Sequence, residues 1–81
     1  MSGVPITLPD LGTPEATVSV WYVGVGEQVF EGDRVIEVLI RGATFDVPAP
    51  VTGFVRDRHV LAGDPVTVGQ VLGIIDPDTD D

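Results

Sequence analysis

Chemistry needs side chains that can attack, shuttle protons or hold a metal, and this 81-residue chain has few of them. Its four basic residues are Arg34, Arg41, Arg56 and Arg58, so it contains no lysine, and it contains no cysteine. His59 is the only histidine, and Ser2 and Ser19 are the only serines. A nucleophile with its base and orienting group, or a three-ligand metal site, is hard to assemble from that set. The thirteen carboxylates are scattered, and none follows the D-x-D-x-D-G spacing of a calcium loop. The chain is therefore expected to have no metal site and no catalysis of its own, with His59 a surface residue beside an acid.

The elements around these residues read as strands. Apolar residues recur with period two, in short β-branched stretches such as Val35–Ile40 and Ala43–Val47, punctuated by ten glycines and seven prolines. No window forms an amphipathic helix, which makes the chain all-β. Hydrophobic residues are 43% of the sequence, enough for a core. Without cysteine that core has no disulfide to help it, although a chain this short buries only about 60% of its unfolded surface. A net charge of -9 argues against nucleic acid or an anionic membrane as partner. Neither a membrane-length apolar run nor a signal-like start is present, so a cytoplasmic location is expected.

An internal repeat orders the strands. Gly26-x-x-Val29-x-x-Gly32-x-x-Val35 recurs 37 residues later as Gly63-x-x-Val66-x-x-Gly69-x-x-Leu72. Strand-like stretches precede each copy, Thr17–Val23 and Phe54–Val60, and Ile6–Leu8 supplies an edge strand. Two half-units, each too small to bury its own face, predict a sandwich with approximate twofold symmetry. Arg41-Gly42 joins two strands as a tight hairpin, with Gly42 at positive φ. Its register places Ile40, Val38 and Ile36 opposite Ala43, Phe45 and Val47 on the core side. On the other side Leu39 meets Thr44 and Glu37 meets Asp46, a like-charge pair that Arg56 or Arg58 is expected to relieve. Trp21 and Phe45 are expected in the core. Residues 1–76 read as one domain and residues 77–81 as an acidic tail or linker start.

These residues resemble a known family. Glu31–Val38, the hairpin, the string Ala43–Gly53 (ATFDVPAPVTG) and the second-half string Gly63–Leu72 are similar to the lipoyl/biotinyl carrier domains. Leu8-Pro-Asp-Leu-Gly12 and Trp21 fit the family's opening, and the likeness runs from about Pro5 to Asp76. The nearest resemblance is to the lipoyl domain of the acyltransferase component of 2-oxo acid dehydrogenase complexes. It implies a flattened sandwich of two four-stranded antiparallel sheets with quasi-twofold symmetry. It also implies a hairpin tip reading E-T-D-K-A, whose lysine carries lipoate in amide linkage. Here Leu39, Ile40, Arg41 and Gly42 stand where E, T, D and K are expected, with Ala43 in pattern. The attachment position is thus Gly42, and the cofactor expected for this chain is none. Leu39, Ile40, Arg41, Gly42 and Ala43 are the candidate partner-contact residues. The surface loop Asp10, Leu11 and Gly12 corresponds to the family's recognition loop. Protein partners are implied, including components of a 2-oxo acid dehydrogenase complex. A small patch of Leu39, Ile40 and Phe54 would mark the docking site. Three explanations of the tip stay open: a natural loss of the cofactor, a machine in which another domain copy carries lipoate, or a redesigned tip.

Overall fold

The structure is a computed structural model, and it describes residues 3–78. Eight strands follow one another: β1 (Val4–Thr7), β2 (Glu15–Trp21), β3 (Gln28–Val29), β4 (Arg34–Ile40), β5 (Ala43–Pro48), β6 (Gly53–Arg58), β7 (Pro65–Thr67) and β8 (Val71–Pro77). They form two four-stranded sheets, sheet A in the order β1-β8-β6-β3 and sheet B in the order β5-β4-β2-β7. Every pairing is antiparallel. The expected all-β sandwich is the architecture found.

Alternation explains why these strands form. In β4 the residues Val35, Ile36 and Val38 are buried while Arg34 and Leu39 face water, and β8 repeats the pattern with Leu72, Gly73 and Ile75 inside. The core between the sheets is aliphatic, with Ile6, Val18, Val29, Val35, Val38, Val55, Val66 and Leu72 each at 1% exposure or less. Among the described residues no polar or charged side chain is buried, so cohesion comes from apolar area removed from water. Trp21 and Phe45 pack against this core from partly buried positions. The indole Nε1–H of Trp21 donates to the Val60 carbonyl at 2.8 Å.

The repeat is an approximate twofold axis, legible bond by bond. Gly26 N–H donates to Val55 O at 2.8 Å, and Gly63 N–H donates to Val18 O at 2.8 Å. Gly32 N–H donates to Ala49 O at 3.0 Å, and Gly69 N–H to Leu8 O at 2.8 Å. All four glycines have φ between 84 and 94°, which a side chain would strain. Side chains repeat the same code. Asp33 Oδ2 accepts the Phe30 N–H and Gln70 Oε1 accepts the Thr67 N–H, each at 3.0 Å. Glu27 Oε1 and Asp64 Oδ2 accept the N–H groups of Gly24 and Leu61. Three of the thirteen acids, Glu27, Asp33 and Asp64, are thereby turn staples.

Strand limits differ from the sequence expectation in detail. β2 begins at Glu15 and ends at Trp21, two residues earlier than the apolar pattern suggests: Glu15 and Ala16 pair with Thr67 and Val66 of β7, and a bulge between Val18 and Val20 interrupts the pairing with β4. The matching bulge in β6 lies between Val55 and Asp57. β1 covers Val4–Thr7, with Leu8 buried just beyond it. β8 runs through Pro77, and the Asp78 N–H donates to Thr52 O at 2.9 Å; residues 79–81 of the expected tail lie outside the described residues.

Two glycines test this packing. A Cβ on buried Gly53 would run into the Asp76 carbonyl oxygen and Ile75, whereas one on Gly24 meets nothing within 4 Å. Gly53→Ala is expected to lower the unfolding free energy by about 1–3 kcal/mol in urea denaturation. Gly24→Ala should stay within about 0.5 kcal/mol of the parent.

Candidate functional site

The β4–β5 hairpin has the register its sequence predicts: Ile36 opposite Val47, Glu37 opposite Asp46, Val38 opposite Phe45, Leu39 opposite Thr44 and Ile40 opposite Ala43. Burial fades along it, from fully buried Ile36 and Val38 through half-buried Ile40 to exposed Ala43. The tip has therefore left the core. Arg41 and Gly42 have φ of 39° and 79°, the two positive values of a type I′ turn, whose twist matches that of the flanking strands. Arg41 is the only non-glycine residue at positive φ among the described residues. A Cβ placed on Gly42 would meet nothing within 4 Å.

Leu39, 44% exposed, sits on the outer face of sheet B between Thr17 and Thr44. Because Thr17 pairs with Leu39, the segment entering β2 lies beside the tip. That segment holds the Asp10–Gly12 loop, closed by Gly12 N–H donating to Asp10 Oδ1 at 2.9 Å and anchored by half-buried Leu11. The fold thus gathers the candidate residues Leu39–Ala43 and the loop at one end. It does not gather Phe54 with them. Phe54 lies in β6, paired with Gln28 and Asp76 in sheet A, so the expected Leu39–Ile40–Phe54 patch does not exist.

The like-charge rung is relieved by different residues from those expected. Arg34 Nη1 lies 3.5 Å from Asp46 Oδ2, and its guanidinium stacks 4.7 Å from the Tyr22 ring centroid. The Tyr22 hydroxyl lies 3.1 Å from Glu37 Oε2 and 3.0 Å from Asp46 Oδ1, and its single proton serves one of them at a time. Arg56 instead pairs with Asp76, and Arg58 stacks on Trp21 at 5.7 Å, both through β6 of sheet A. Neither can serve the outer face of sheet B. Desolvation, then the bonds to Asp46 and Glu37 and their charges, push the Tyr22 hydroxyl up to about 12. The two ion pairs among the described residues, Arg34–Asp46 and Arg56–Asp76, leave His59 without the acid partner expected for it. Among the described residues no group of three or more His, Cys, Asp or Glu is placed to hold a metal.

A two-sheet, quasi-symmetric sandwich with one projecting hairpin is a specific architecture, and the sequence matches a known family over it. The Biotin_lipoyl family, described as "Biotin-requiring enzyme", covers residues 4–75. The chain belongs to this family. The lipoyl-type domain is 34% identical over 71 residues to the dihydrolipoyllysine-residue acetyltransferase component of the pyruvate dehydrogenase complex of Haemophilus influenzae, covering 88% of this chain and 12% of that protein. The corresponding Staphylococcus aureus component is 35% identical over 77 residues, covering 91% of this chain and 18% of that protein. The domain therefore spans less than a fifth of these relatives. In fold it is similar to the lipoyl domain of the 2-oxoglutarate dehydrogenase complex of Azotobacter vinelandii, with a TM-score of 0.73 at 23% identity, covering 90% of this chain and 95% of the other.

Sequence reasoning passed over Tyr22 and Arg34. The only signal was the unrelieved Glu37–Asp46 rung, which demanded a donor without saying which strand supplies it.

Two measurements check the hairpin. Tyr22 is the only tyrosine, so phenolate absorbance reads it alone and is expected to have its midpoint near 12, above the ordinary 10.0. Glu37→Gln should bring the midpoint down. Because the folded value is raised, this group's stabilisation is whole below pH 10.0 and lost as pH rises toward 12. Replacing Arg41 by asparagine, which tolerates positive φ, is expected to stabilise the domain by about 0.5–1 kcal/mol in thermal or urea unfolding.

Proposed function

We propose that this lipoyl-type domain carries neither lipoate nor biotin and works through its protein surface, without catalysis of its own. The observation that carries the reading is the missing amine: no lysine occurs anywhere in the chain, and the exposed tip of the hairpin holds Gly42. Amide attachment of either group needs a lysine Nζ. Arginine is no substitute, since its guanidinium stays protonated. The family's prosthetic group therefore does not fit the residues present. The contact surface is the tip Leu39–Ala43 with the adjoining Asp10–Gly12 loop. Its partners are protein components of a 2-oxo acid dehydrogenase complex, in the cytoplasm; the relatives are named as components of a pyruvate dehydrogenase complex. Exposed Leu39 supports this reading, since its place between Thr17 and Thr44 does nothing for the core.

One feature supports a second reading, a carrier domain degenerate or altered only at its tip. The space around the Gly42 Cβ position is open, so a side chain starting there meets no neighbour at its Cβ and carries the backbone strain of positive φ, about 1–2 kcal/mol.

Intact mass of the protein isolated from its source is expected to equal that of the bare chain, and a lipoyl or biotinyl increment would overturn the main reading. The double variant Arg41→Asp, Gly42→Lys, incubated with a lipoate ligase, separates the two. Modification favours the degenerate carrier, and a folded variant that stays bare favours a surface long adapted to contact. Binding to a purified 2-oxo acid dehydrogenase complex should fall about tenfold or more in Leu39→Glu if the tip is the contact.

A further inference from the structure

Two of the three phenylalanines stand outside the core. Phe30 is 57% exposed and Phe54 43% exposed, whereas Phe45 packs against the aliphatic cluster from a partly buried position. Pairing of Gln28 with Phe54 and of Val29 with Gly53 puts the Phe54 ring on the outer face of sheet A, with Phe30 directly after the end of β3. Val29 is buried, whereas Gln28 before it and Phe30 after it are both exposed. The Glu31 N–H donates to Thr52 Oγ1 at 2.9 Å, which keeps Phe30 level with Thr52 and diagonal to Phe54, within reach of an aromatic neighbour. Between the rings Gln28 Nε2 donates to Asp78 Oδ2 at 3.1 Å. Beside them stand Asp33, which accepts the Phe30 N–H, Asp76, which pairs with Phe54 and holds Arg56, and Asp78.

We infer that this face, at the β3–β6 edge, is a docking surface for a segment of a partner protein that presents arginine or lysine beside apolar side chains. The two rings offer apolar area and π-faces for a cation, and the carboxylates select the positive sign. A second copy of the chain is a poor occupant, since each carries a net charge of -9. Pairing of an extended strand to this edge gains little, because β3 is only two residues long. The surface is separate from the hairpin tip. The turn holding Phe30 and Asp33 precedes Arg34, and β4 then runs seven residues, about 23 Å, to Arg41. It therefore does not depend on how the tip is read.

The test is an NMR titration of the whole chain with a synthetic six-residue peptide of alternating arginine and leucine. Spermine serves as a control for charge without apolar contact. The expected result is amide shifts centred on Gln28, Phe30, Thr52, Phe54 and Asp76, with Leu39–Ala43 little moved. Phe30→Ser, Phe54→Ser is expected to weaken binding about tenfold. If the double variant does not fold, Phe30→Ser alone carries the same comparison at the more exposed ring. Binding of spermine as tight as the peptide, shifts centred on the tip, or a folded serine variant that binds at parental strength would each overturn the proposal.

Discussion

The structure depends on an exchange of short strands between its two halves. β3 lies among first-half residues yet pairs with β6 of the second half, and β7 lies among second-half residues yet pairs with β2 of the first. Gly26 N–H to Val55 O and Gly63 N–H to Val18 O fasten the exchange at equivalent points. Neither half closes a sheet by itself, so the core residues Val29 and Val66 reach burial only when both halves are present. That interlock supplies what a small cysteine-free domain otherwise lacks, a single core too shared to come apart in pieces.

Once the core is closed, the outside is left to other tasks. Several acids that look like candidate ligands are spent on turns, each accepting a backbone N–H that would otherwise have no partner. The Glu37–Asp46 rung is held by Tyr22 and Arg34, which makes the root of the hairpin a charged, hydrogen-bonded platform on sheet B. Beyond it the hairpin continues past the core, and Leu39, Arg41 and Gly42 stand free of packing demands. A tip under no such demand can change its residues without disturbing the fold. What the fold asks of this turn is positive φ at Arg41 and Gly42, with no neighbour packed at the Gly42 Cβ position.

Much of this was open to reading from residues alone. The hairpin register followed from Arg41-Gly42 and strict alternation, since a slip of one residue would have turned Ile36 and Val38 to water. The glycine repeat foretold the twofold because each copy needs the same positive φ at the same places. What failed was assignment across the sandwich. Arg56, Arg58 and Phe54 were matched to the hairpin, yet all three belong to β6 in the opposite sheet. The β2 limits also slipped, because Glu15 and Ala16 join the strand through β7, a partner about fifty residues away in sequence.

The sequence by itself determined that these 81 residues offer no lysine side-chain amine, since no folding can add a residue type that is not there. It determined as well the tight turn at Arg41-Gly42 and the two-half plan, both set by local backbone preference. Only the tertiary structure decided which strands share a face. It placed Tyr22 and Arg34 beneath the hairpin, set the Asp10–Gly12 loop beside the tip and left Phe30 and Phe54 on the far sheet. Strand partners are chosen by hydrogen bonds between residues tens of positions apart, and period-two alternation gives the two faces of a strand but not the neighbour across it.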